Sequence, residues 1–241
     1  MFYEETITDI HQHGNKLFSF KTTRDKSFRF KNGEFTMIGL DNGTSKRIVR
    51  AYSMVSTCYD DHLEFLSIKV PDGEFTSRLQ YCQPGDTILV RSKATGSLVI
   101  DYVYQKKNLV LLSTGTGIAP FMSIVHDFET YDKFENVYLF HTVKSCFELP
   151  YKSRLEELES VYPNFKYIES VTGEPYHRTG RFWQHIEQYI PGGFNKDRDA
   201  VMICGSPELN SECREKFTNL GWTEGNSGIL GDFMLERSFA G

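Results

Sequence analysis

The sequence predicts two domains, an antiparallel β-barrel over residues 1–105 and an α/β domain with a parallel sheet over residues 106–241. Before Gln105, short stretches rich in β-branched and aromatic residues recur between Gly, Pro, Asn and Asp turn signals, which is typical of a closed antiparallel barrel. After it, strand-like and helix-like segments alternate, which is typical of a parallel sheet. The segment Asn108–Phe121, a strand, a glycine-rich turn and a helix in succession, marks the change.

The elements of the first domain are predicted from the turns that separate them. His13-Gly14-Asn15, Asp41-Asn42-Gly43 and Pro84-Gly85-Asp86 are turn signals between apolar stretches. The predicted strands are Glu4–Ile10, Lys16–Lys21, Phe35–Leu40, Lys46–Ser53, His62–Val70, Thr87–Arg91 and Ser97–Tyr104. Phe75–Tyr81 is predicted as a short helix with a Thr and a Ser near its start.

The second domain is predicted from its apolar runs and helical periodicity. Leu109–Ser113 and Ala200–Cys204 are unbroken apolar runs, which suit strands buried on both faces of a sheet. The other predicted strands are Asn136–His141, Phe165–Val171 and Asp232–Glu236. The predicted helices are Ile118–Val125, Tyr151–Tyr162 (apolar face Leu155, Leu158, Val161), Arg181–Ile190 and Pro207–Leu220 (apolar face Leu209, Cys213, Phe217, Leu220).

Composition excludes several classes of protein. A net charge of −5 without a basic run argues against generic nucleic-acid binding. No stretch reaches the roughly 18 uninterrupted apolar residues of a membrane span, and the acidic N-terminal residues lack a signal-peptide core. We therefore expect a soluble, cytoplasmic protein that binds neither nucleic acid nor membrane.

The cysteines argue against a metal or disulfide centre. They are odd in number and nowhere as close as C-x-x-C, so neither a disulfide framework nor a zinc or iron–sulfur site follows; they are Cys58, Cys82, Cys146, Cys204 and Cys213. His11 and His13 form a close pair on a terminal strand, where solvent exposure is expected rather than metal ligation. We expect no metal, so any redox centre must be an organic cofactor.

The turn Thr114-Gly115-Thr116-Gly117 is the first of four motifs suited to a nucleotide. A strand, a glycine-rich turn and a helix direct free backbone N–H groups and a helix dipole at an anion, usually a phosphate. The sequence GTGIAP lacks the fuller G-x-G-x-x-G spacing, so tight packing alone is an equally good interpretation.

The other three motifs are equally ambiguous when taken singly. Arg50 and Tyr52 share one face of a strand, where they could hold a phosphate beside a flat ring, or simply form an amphipathic strand. Gly73–Ser77 could present two hydroxyls and free N–H groups to a pyrophosphate, or be a helix cap. Cys204–Pro207 follows a buried strand, where ligands of open α/β sheets bind, or is an ordinary loop.

Together, in this order, the motifs resemble the ferredoxin–NADP⁺ reductase family. R-x-Y-S and G-x-x-T-S lie in the barrel, and G-T-G-I-A-P-F and C-G-S-P in the α/β domain, so the resemblance covers essentially the whole chain. The segments IKVPDG-x-x-TS-x-LQ and FMLERSF are similar to the bacterial type. The resemblance implies a Greek-key barrel that binds FAD and a second domain that binds NADP(H).

The resemblance also implies residue roles. The FAD-binding residues implied are Arg50, Ala51, Tyr52, Ser53, Ile68, Lys69, Val70, Thr76, Ser77, Thr116 and, in the C-terminal tail, Phe239. The NADP-binding residues implied are Gly115, Thr116, Gly117, Lys144, Thr172, Arg181, Cys204 and Gly205. Ser53, Cys204 and Glu236 are implied at the site of hydride transfer, with Glu236 orienting Ser53 or relaying a proton.

The sequence departs from the family where the NADP⁺ 2′-phosphate would bind. Bacterial members commonly use three arginines, and the corresponding positions here are Lys144, Gly173 and Arg181. One ionic hydrogen bond contributes roughly 1.5–3 kcal/mol, or about 10- to 150-fold in affinity. We expect weaker discrimination for NADPH than in such relatives, with His177 and Arg178 near enough in sequence to compensate.

The resemblance implies electron exchange between NADP(H) and ferredoxin or flavodoxin, which would be transient partners, and we expect a monomer. Acidic ferredoxins need a positive docking face, to which Lys69, Arg78 and Lys93 are candidates. An NAD(P)H-dependent flavin or oxygenase reductase of the same superfamily is the alternative activity. A flavin- or nucleotide-binding module without catalysis is a more distant one.

Overall fold

The computed structural model describes residues 1–40, 47–70 and 72–238. A six-stranded antiparallel sheet organises the first half and a five-stranded parallel sheet the second, which confirms the predicted fold class. The predicted strand Lys46–Ser53 begins outside the described residues. The predicted tail residue Phe239 lies outside them too.

The first sheet closes into a barrel. Its elements are β1 (Phe2–His13), β2 (Leu17–Thr23), β3 (Phe35–Leu40), β4 (Ile48–Ser53), β5 (His62–Ile68), α1 (Thr76–Leu79) and β6 (Thr87–Arg91). The strand order is β4-β3-β6-β1-β2-β5, so β6 returns to lie between β1 and β3, as in a Greek key. The ends of the sheet meet where Met54 bridges Phe65 and the Val55 N–H donates to the Glu64 carbonyl at 2.8 Å.

Aromatic side chains fill the barrel. Phe18, Phe20 and Phe65 are fully buried inside it, and the centroids of the Phe20 and Phe65 rings lie 5.4 Å apart. Each such ring contributes roughly 1.5–3 kcal/mol on burial. Tyr52 packs at the edge of this core, so the core fixes one side chain of the predicted site.

The parallel sheet carries helices on both faces. Its strands are β7 (Asn108–Thr114), β8 (Asn136–Val143), β9 (Phe165–Val171), β10 (Asp199–Gly205) and β11 (Phe233–Arg237), in the order β11-β10-β7-β8-β9. Its helices are α2 (Ala119–Val125), α3 (Phe128–Lys133), α4 (Lys152–Val161), α5 (Ile186–Tyr189) and α6 (Pro207–Asn219). Cys204 of β10 pairs with Ser113 of β7, so the carboxyl ends of these two strands lie side by side.

The predicted strand Ser97–Tyr104 is wrong. This segment contains a 3-10 helix, Ile100–Tyr102, and only Val103 makes a bridge, to Gly231 in the second domain. Leu98, Ile100 and Val103 are buried in the core of the second domain, not in the barrel. The apolar residues that suggested a strand therefore pack against the second domain instead.

The helices differ from the prediction at three points. The segment Arg181–Ile190 is not one helix, but a 3-10 turn, Phe182–Gln184, followed by the short α5. Helix α3 was not predicted. On the predicted apolar faces, Val161 and Leu220 are exposed because both lie at or beyond the ends of their helices, α4 and α6.

The barrel strands end at Arg91 and the parallel sheet begins at Asn108. The predicted division between residues 105 and 106 falls in the intervening segment, and we keep it as a proposal. Among the described residues, no helix is long and apolar enough to cross a membrane. The five cysteines are free thiols, two of them buried, Cys204 and Cys213.

Candidate functional site

A narrow cleft separates the barrel from the carboxyl ends of β7 and β10. Its lining comes from both domains: Ala51, Tyr52, Ser53, Leu66, Ser67, Ile68, Thr116, Ala119, Cys204, Arg237 and Ser238. The fold thus brings together six residues predicted independently from the two halves of the chain, Ala51, Tyr52, Ser53, Ile68, Thr116 and Cys204.

Tyr52 presents a fixed planar ring at this cleft. The ring packs against Phe20, Phe65 and Phe75 at centroid distances of 6.4, 6.3 and 5.9 Å. Its hydroxyl is hydrogen-bonded to the Ser67 hydroxyl at 2.9 Å. Burial raises the pKa of Tyr52 to about 12, so the phenol is neutral. A neutral ring held on three sides suits stacking against a flat ligand.

Arg50 precedes the cleft residues Ala51, Tyr52 and Ser53 on β4. Its guanidinium forms an ion pair with Glu74 at 3.2 Å and donates to the Val49 carbonyl at 2.9 Å. Both partners of the ion pair are partly exposed, so the pair is weak. Arg50 can therefore exchange Glu74 for a phosphate at small cost.

The turn between β5 and α1 contains the remaining predicted barrel residues. The Thr76 hydroxyl is buried and donates to the Val70 carbonyl at 3.2 Å, and the Ser77 N–H donates to the Gly73 carbonyl at 3.0 Å. Lys69 is half-buried at the end of β5. Thr76 thus closes the turn with its hydroxyl, whereas the Ser77 hydroxyl makes no hydrogen bond within the described chain.

The glycine-rich turn is shaped by close backbone contact. A Cβ on Gly117 would lie 2.1 Å from the Cys204 carbonyl oxygen, and a Cβ on Gly205 would lie 2.2 Å from the Thr114 hydroxyl. Gly115 has a φ of +54°, the left-handed region that favours glycine, and its open side faces free space. The turn is therefore pressed against the end of β10, with its outer face open to a ligand.

The buried side chain of His141 supports the glycine-rich turn. Its Nε2 is hydrogen-bonded to the Gly115 carbonyl at 2.9 Å, and its Nδ1 lies 3.3 Å from the Tyr167 hydroxyl. The ring is fully buried, and desolvation lowers the pKa of His141 to about 4. A neutral ring with a proton on Nε2 satisfies the Gly115 carbonyl. This leaves the turn's backbone fixed before any ligand arrives.

A second, larger cavity continues from the cleft. It has a volume of about 550 Å³, and Ile68, Thr116 and Ser238 line both spaces. The predicted nucleotide-binding residues in its wall are Gly115, Thr116, Lys144, Thr172 and Arg181. The N-terminus of α6, capped by the Ser206 hydroxyl, also faces it. Open backbone donors, a helix N-terminus and three cations, Lys16, Lys144 and Arg181, suit a nucleotide phosphate.

The side chains at the predicted 2′-phosphate positions differ in whether they form an ion pair. Lys144 is exposed, whereas Arg181 forms an ion pair with Glu212 at 2.7 Å. A Cβ on Gly173 would lie 2.6 Å from the Lys144 carbonyl oxygen, and the Gly173 N–H donates to that oxygen. The glycine is thus a packing requirement, and a longer side chain there would displace the Lys144 backbone.

His177 and Arg178 belong to a different cluster. Both contact the buried carboxylate of Glu169, at 3.2 Å and 3.0 Å, and Lys152 contacts it at 2.7 Å. Arg178 also donates to the Tyr189 hydroxyl at 2.8 Å. The buried carboxylate of Glu169 restrains these side chains, so the geometry does not favour compensation for Gly173 by His177 or Arg178.

Three residues were predicted at the site of hydride transfer. Ser53 and Cys204 line the cleft, and burial raises the pKa of the Cys204 thiol well above its usual range. Glu236 pairs with Cys204 across β10 and β11 and accepts the Ser97 N–H at 3.4 Å. Burial raises the pKa of Glu236 to about 7. Within the described chain, no hydrogen bond joins Glu236 to Ser53.

Some functional residues were not found from the sequence. His141 was placed on a strand but given no role, and Lys16 and Glu148 of the larger cavity were not considered. Ser206 belongs to the predicted motif Cys204–Pro207, and a Ser followed by Pro at the start of a helix also signals its role as the N-cap. The others reach the site only through tertiary structure.

A barrel and a parallel α/β sheet that meet at such a cleft define the two-domain class of flavin- and nicotinamide-nucleotide-dependent oxidoreductases. The two halves match family models described as an oxidoreductase FAD-binding domain, over residues 6–98, and an oxidoreductase NAD-binding domain, over residues 111–215. The chain belongs to the ferredoxin–NADP reductase family, which confirms the resemblance seen in the sequence.

The relatives cover nearly the whole chain. Ferredoxin–NADP reductase A of Sorangium cellulosum is 43% identical over 100% of this chain and 91% of its own. The ferredoxin–NADP reductase of Pseudomonas aeruginosa is 40% identical over 98% and 97%. A crystal structure of a ferredoxin NADP⁺ reductase from Neisseria gonorrhoeae with bound FAD and NADP superposes with a TM-score of 0.91, at 33% identity and 99% coverage of both chains.

Proposed function

We propose that this protein is an FAD-dependent oxidoreductase that exchanges electrons between NADP(H) and ferredoxin or flavodoxin. The observation that carries the proposal is the cleft shared by both domains, in which Tyr52 and Ser53 of the barrel face Thr116 and Cys204 of the parallel sheet. Relatives with this activity in their names match the chain along its full length.

The residues of the barrel fit FAD. Tyr52 offers a neutral ring for the flat part of the cofactor, and Arg50 offers a guanidinium whose one ion pair is with an exposed carboxylate, that of Glu74. Ser53 has a hydroxyl with no hydrogen-bond partner in the described chain, so it is free to donate. Bound FAD would accept a hydride from NADPH and release electrons singly, which suits a one-electron acceptor.

The second domain positions the other reactant. The rigid turn at Gly115 and the capped N-terminus of α6 would hold the NADP(H) pyrophosphate at the carboxyl ends of β7 and β10. Cys204 lines the cleft into which this cavity continues. The buried thiol stays protonated because its pKa is raised, so we assign it a role in contact and exclusion of water rather than in nucleophilic attack.

Glu236 is proposed to act on protons at the same site. Its pKa of about 7 lets it exchange a proton near neutral pH. Since it has no hydrogen bond to Ser53 in this structure, proton relay is favoured over orientation of Ser53. We also keep the cytoplasmic location, the monomeric state and the docking face at Lys69, Arg78 and Lys93 as proposals.

The experiment is an anaerobic titration of the FAD-loaded protein with NADPH and, separately, NADH, with loss of flavin absorbance as the signal. A ferredoxin, a flavodoxin and free FMN are then offered to the reduced protein. We expect reduction at lower NADPH than NADH concentration and fastest oxidation by one of the two proteins. Equal use of NADH with free FMN as the best acceptor would indicate a flavin reductase, and no reduction would indicate a non-catalytic module.

Ser53 provides a sharper test of the cleft. Ser53→Ala should slow hydride transfer by roughly tenfold to a hundredfold, because a positioned donor is lost, while FAD remains bound. Stopped-flow reduction by NADPH measures the rate, and the flavin-to-protein absorbance ratio measures occupancy. An unchanged rate would remove Ser53 from the proposed mechanism.

A further inference from the structure

The hairpin between β1 and β2 reaches from the barrel to the nucleotide cavity of the other domain. Lys16, at the start of β2, lies in the cavity wall together with Lys144 and Arg181. Its Nζ forms an ion pair with Glu148 Oε1 at 3.3 Å. The same hairpin approaches the opposite loop so closely that a Cβ on Gly14 would lie 3.0 Å from the Phe147 carbonyl oxygen.

The backbone of Lys16 is held in place. Its carbonyl accepts the Lys69 N–H at 2.7 Å, which extends the pairing of β2 with β5. Ile68, the last residue of β5, lines the nucleotide cavity as well. The side chain of Lys16 is nevertheless 68% exposed. The backbone of Lys16 is therefore fixed, while its charged side chain is exposed in the wall of the cavity.

One carboxylate lies between the two lysines. Glu148 contacts the Lys16 ammonium through Oε1, and through Oε2 it accepts the Lys144 N–H at 3.3 Å. Its side chain is only 22% exposed. A partly exposed ion pair is weak, whereas a phosphate carries about two charges and three acceptor oxygens. A phosphate that enters the cavity can therefore replace Glu148 as the partner of the Lys16 ammonium.

We propose that Lys16 binds the 2′-phosphate of NADP(H) from the barrel side, in place of the cation that Gly173 does not provide. Glu148 holds Lys16 at the cavity while no phosphate is present and weakens 2′-phosphate binding by competing for it. The inference rests on the proposed function, since it assigns a specificity residue to the same nucleotide site.

Packing explains why the cation comes from the other domain. A side chain at residue 173 collides with the Lys144 carbonyl, so this position cannot supply one without moving its neighbour. Arg181 is engaged by Glu212, and Arg178 by Glu169. Among the described residues that line the cavity, the Lys144 side chain forms no ion pair, and the ion pair of Lys16 is longer than that of Arg181, at 3.3 Å against 2.7 Å, with a more exposed cation, 68% against 49%.

The test is calorimetric binding of adenosine 2′,5′-bisphosphate and of 5′-AMP to the FAD-loaded protein, which requires no turnover. Lys16→Gln should weaken binding of the bisphosphate about fivefold to twentyfold and of 5′-AMP less than twofold. Lys16→Arg should retain the preference for the bisphosphate. Lys21→Gln, the same charge change on the same hairpin outside this cavity, should leave both affinities unchanged.

Glu148→Gln tests the competing carboxylate. It should strengthen binding of the bisphosphate about twofold to fivefold, and the gain should disappear in the Lys16→Gln background. A wild-type protein that prefers the bisphosphate, combined with an unaltered preference in Lys16→Gln, would overturn the role of Lys16 alone. Equal losses for both ligands in Lys16→Gln would overturn it too. A wild-type protein without any preference would overturn the proposed NADP(H) specificity itself.

Discussion

The two ends of the nucleotide cavity are built in different ways. At the pyrophosphate end, Gly117 and Gly205 press backbone against backbone, and His141 fixes the Gly115 carbonyl from a buried position. At the proposed 2′-phosphate end, the side chains of Lys16, Lys144 and Arg181 are exposed, and the ion pairs of Lys16 with Glu148 and of Arg181 with Glu212 are partly exposed. The first end is rigid before a ligand binds, and the second must exchange partners.

The two ends of the cavity should therefore contribute differently to nucleotide affinity and to the preference for NADPH over NADH. In the proposed function, backbone donors around Gly115 bind the pyrophosphate, which NADH and NADPH share, so the rigid end does not discriminate between them. Discrimination depends on side chains whose ion pairs are weak enough to break. Substitutions at the first end should therefore affect folding and binding together, whereas those at the second should affect binding alone.

Gly117→Ala should have the largest effect. The added Cβ would meet the Cys204 carbonyl at 2.1 Å and its carbon at 2.6 Å, and overpacking against backbone of this severity should cost about 3 kcal/mol or more in the free energy of unfolding. Urea unfolding, followed by circular dichroism, measures the loss, and nucleotide affinity should fall with it.

Gly115→Ala is the matched control for this prediction. Its Cβ meets nothing within 4 Å, so only the left-handed backbone opposes it, at a cost of roughly 1–2 kcal/mol. The two variants differ by position within one turn. If Gly115→Ala proved as damaging as Gly117→Ala, backbone conformation rather than close packing would set the rigidity of the turn.

The same contrast explains which features could be predicted from sequence. Gly115 and Gly117 were found because a glycine-rich turn between a strand and a helix is visible in the sequence itself, and turn signals located six of the seven predicted barrel strands within a few residues. Ser97–Tyr104 was mistaken because an apolar run does not say which core it enters. Lys16 and His141 were missed because nothing near them in sequence reveals their tertiary partners in the nucleotide cavity.

His141→Phe should have the next largest effect. The substitution fills the buried space but leaves the Gly115 carbonyl and the Tyr167 hydroxyl without their partner, so the free energy of unfolding should fall by about 1–3 kcal/mol. Affinity for 5′-AMP should fall as well, since the turn loses its support. Urea unfolding and calorimetry provide the two measurements.

Tyr167→Phe separates the two hydrogen bonds of His141. It removes the 3.3 Å contact at Nδ1 and keeps the one to Gly115, so it should lower stability less and leave 5′-AMP affinity unchanged. A loss of affinity equal to that of His141→Phe would show that the turn depends on the general packing of β8 and β9, not on the bond to Gly115.

Glu236, which pairs with the cleft residue Cys204 on the neighbouring strand, should make the stability of the protein depend on pH. Its pKa is raised from 4.5 to about 7 by burial, so between these values the folded protein keeps a proton that the unfolded chain has lost. The free energy of unfolding should therefore fall as pH rises through this window, by roughly 1–3 kcal/mol. Glu236→Gln should lack this contribution, so its melting temperature relative to the native protein should be higher at pH 8 than at pH 4.5.

A constant difference in melting temperature between the two proteins over that range would show that Glu236 is already ionised near pH 4.5. Comparison at fixed ionic strength with Glu215→Gln, an exposed position on α6, removes the general effect of losing one negative charge. The proton-relay role proposed for Glu236 would lose its basis with such a result, because its carboxylate would not exchange protons near neutral pH.

The smallest effect is expected at the flexible end of the cavity. Glu212→Gln removes an exposed ion pair of Arg181, so stability should change by less than about 1 kcal/mol. Freed from that carboxylate, Arg181 should bind adenosine 2′,5′-bisphosphate about twofold more tightly, with no change for 5′-AMP.

Glu215→Gln, about one turn further along the same helix, controls for the long-range loss of charge. If both variants raised affinity equally, the 2′-phosphate end would respond to the summed field of the domain. Its specificity would then not depend on which cation each carboxylate holds, and the contrast between the two ends would reduce to one of exposure.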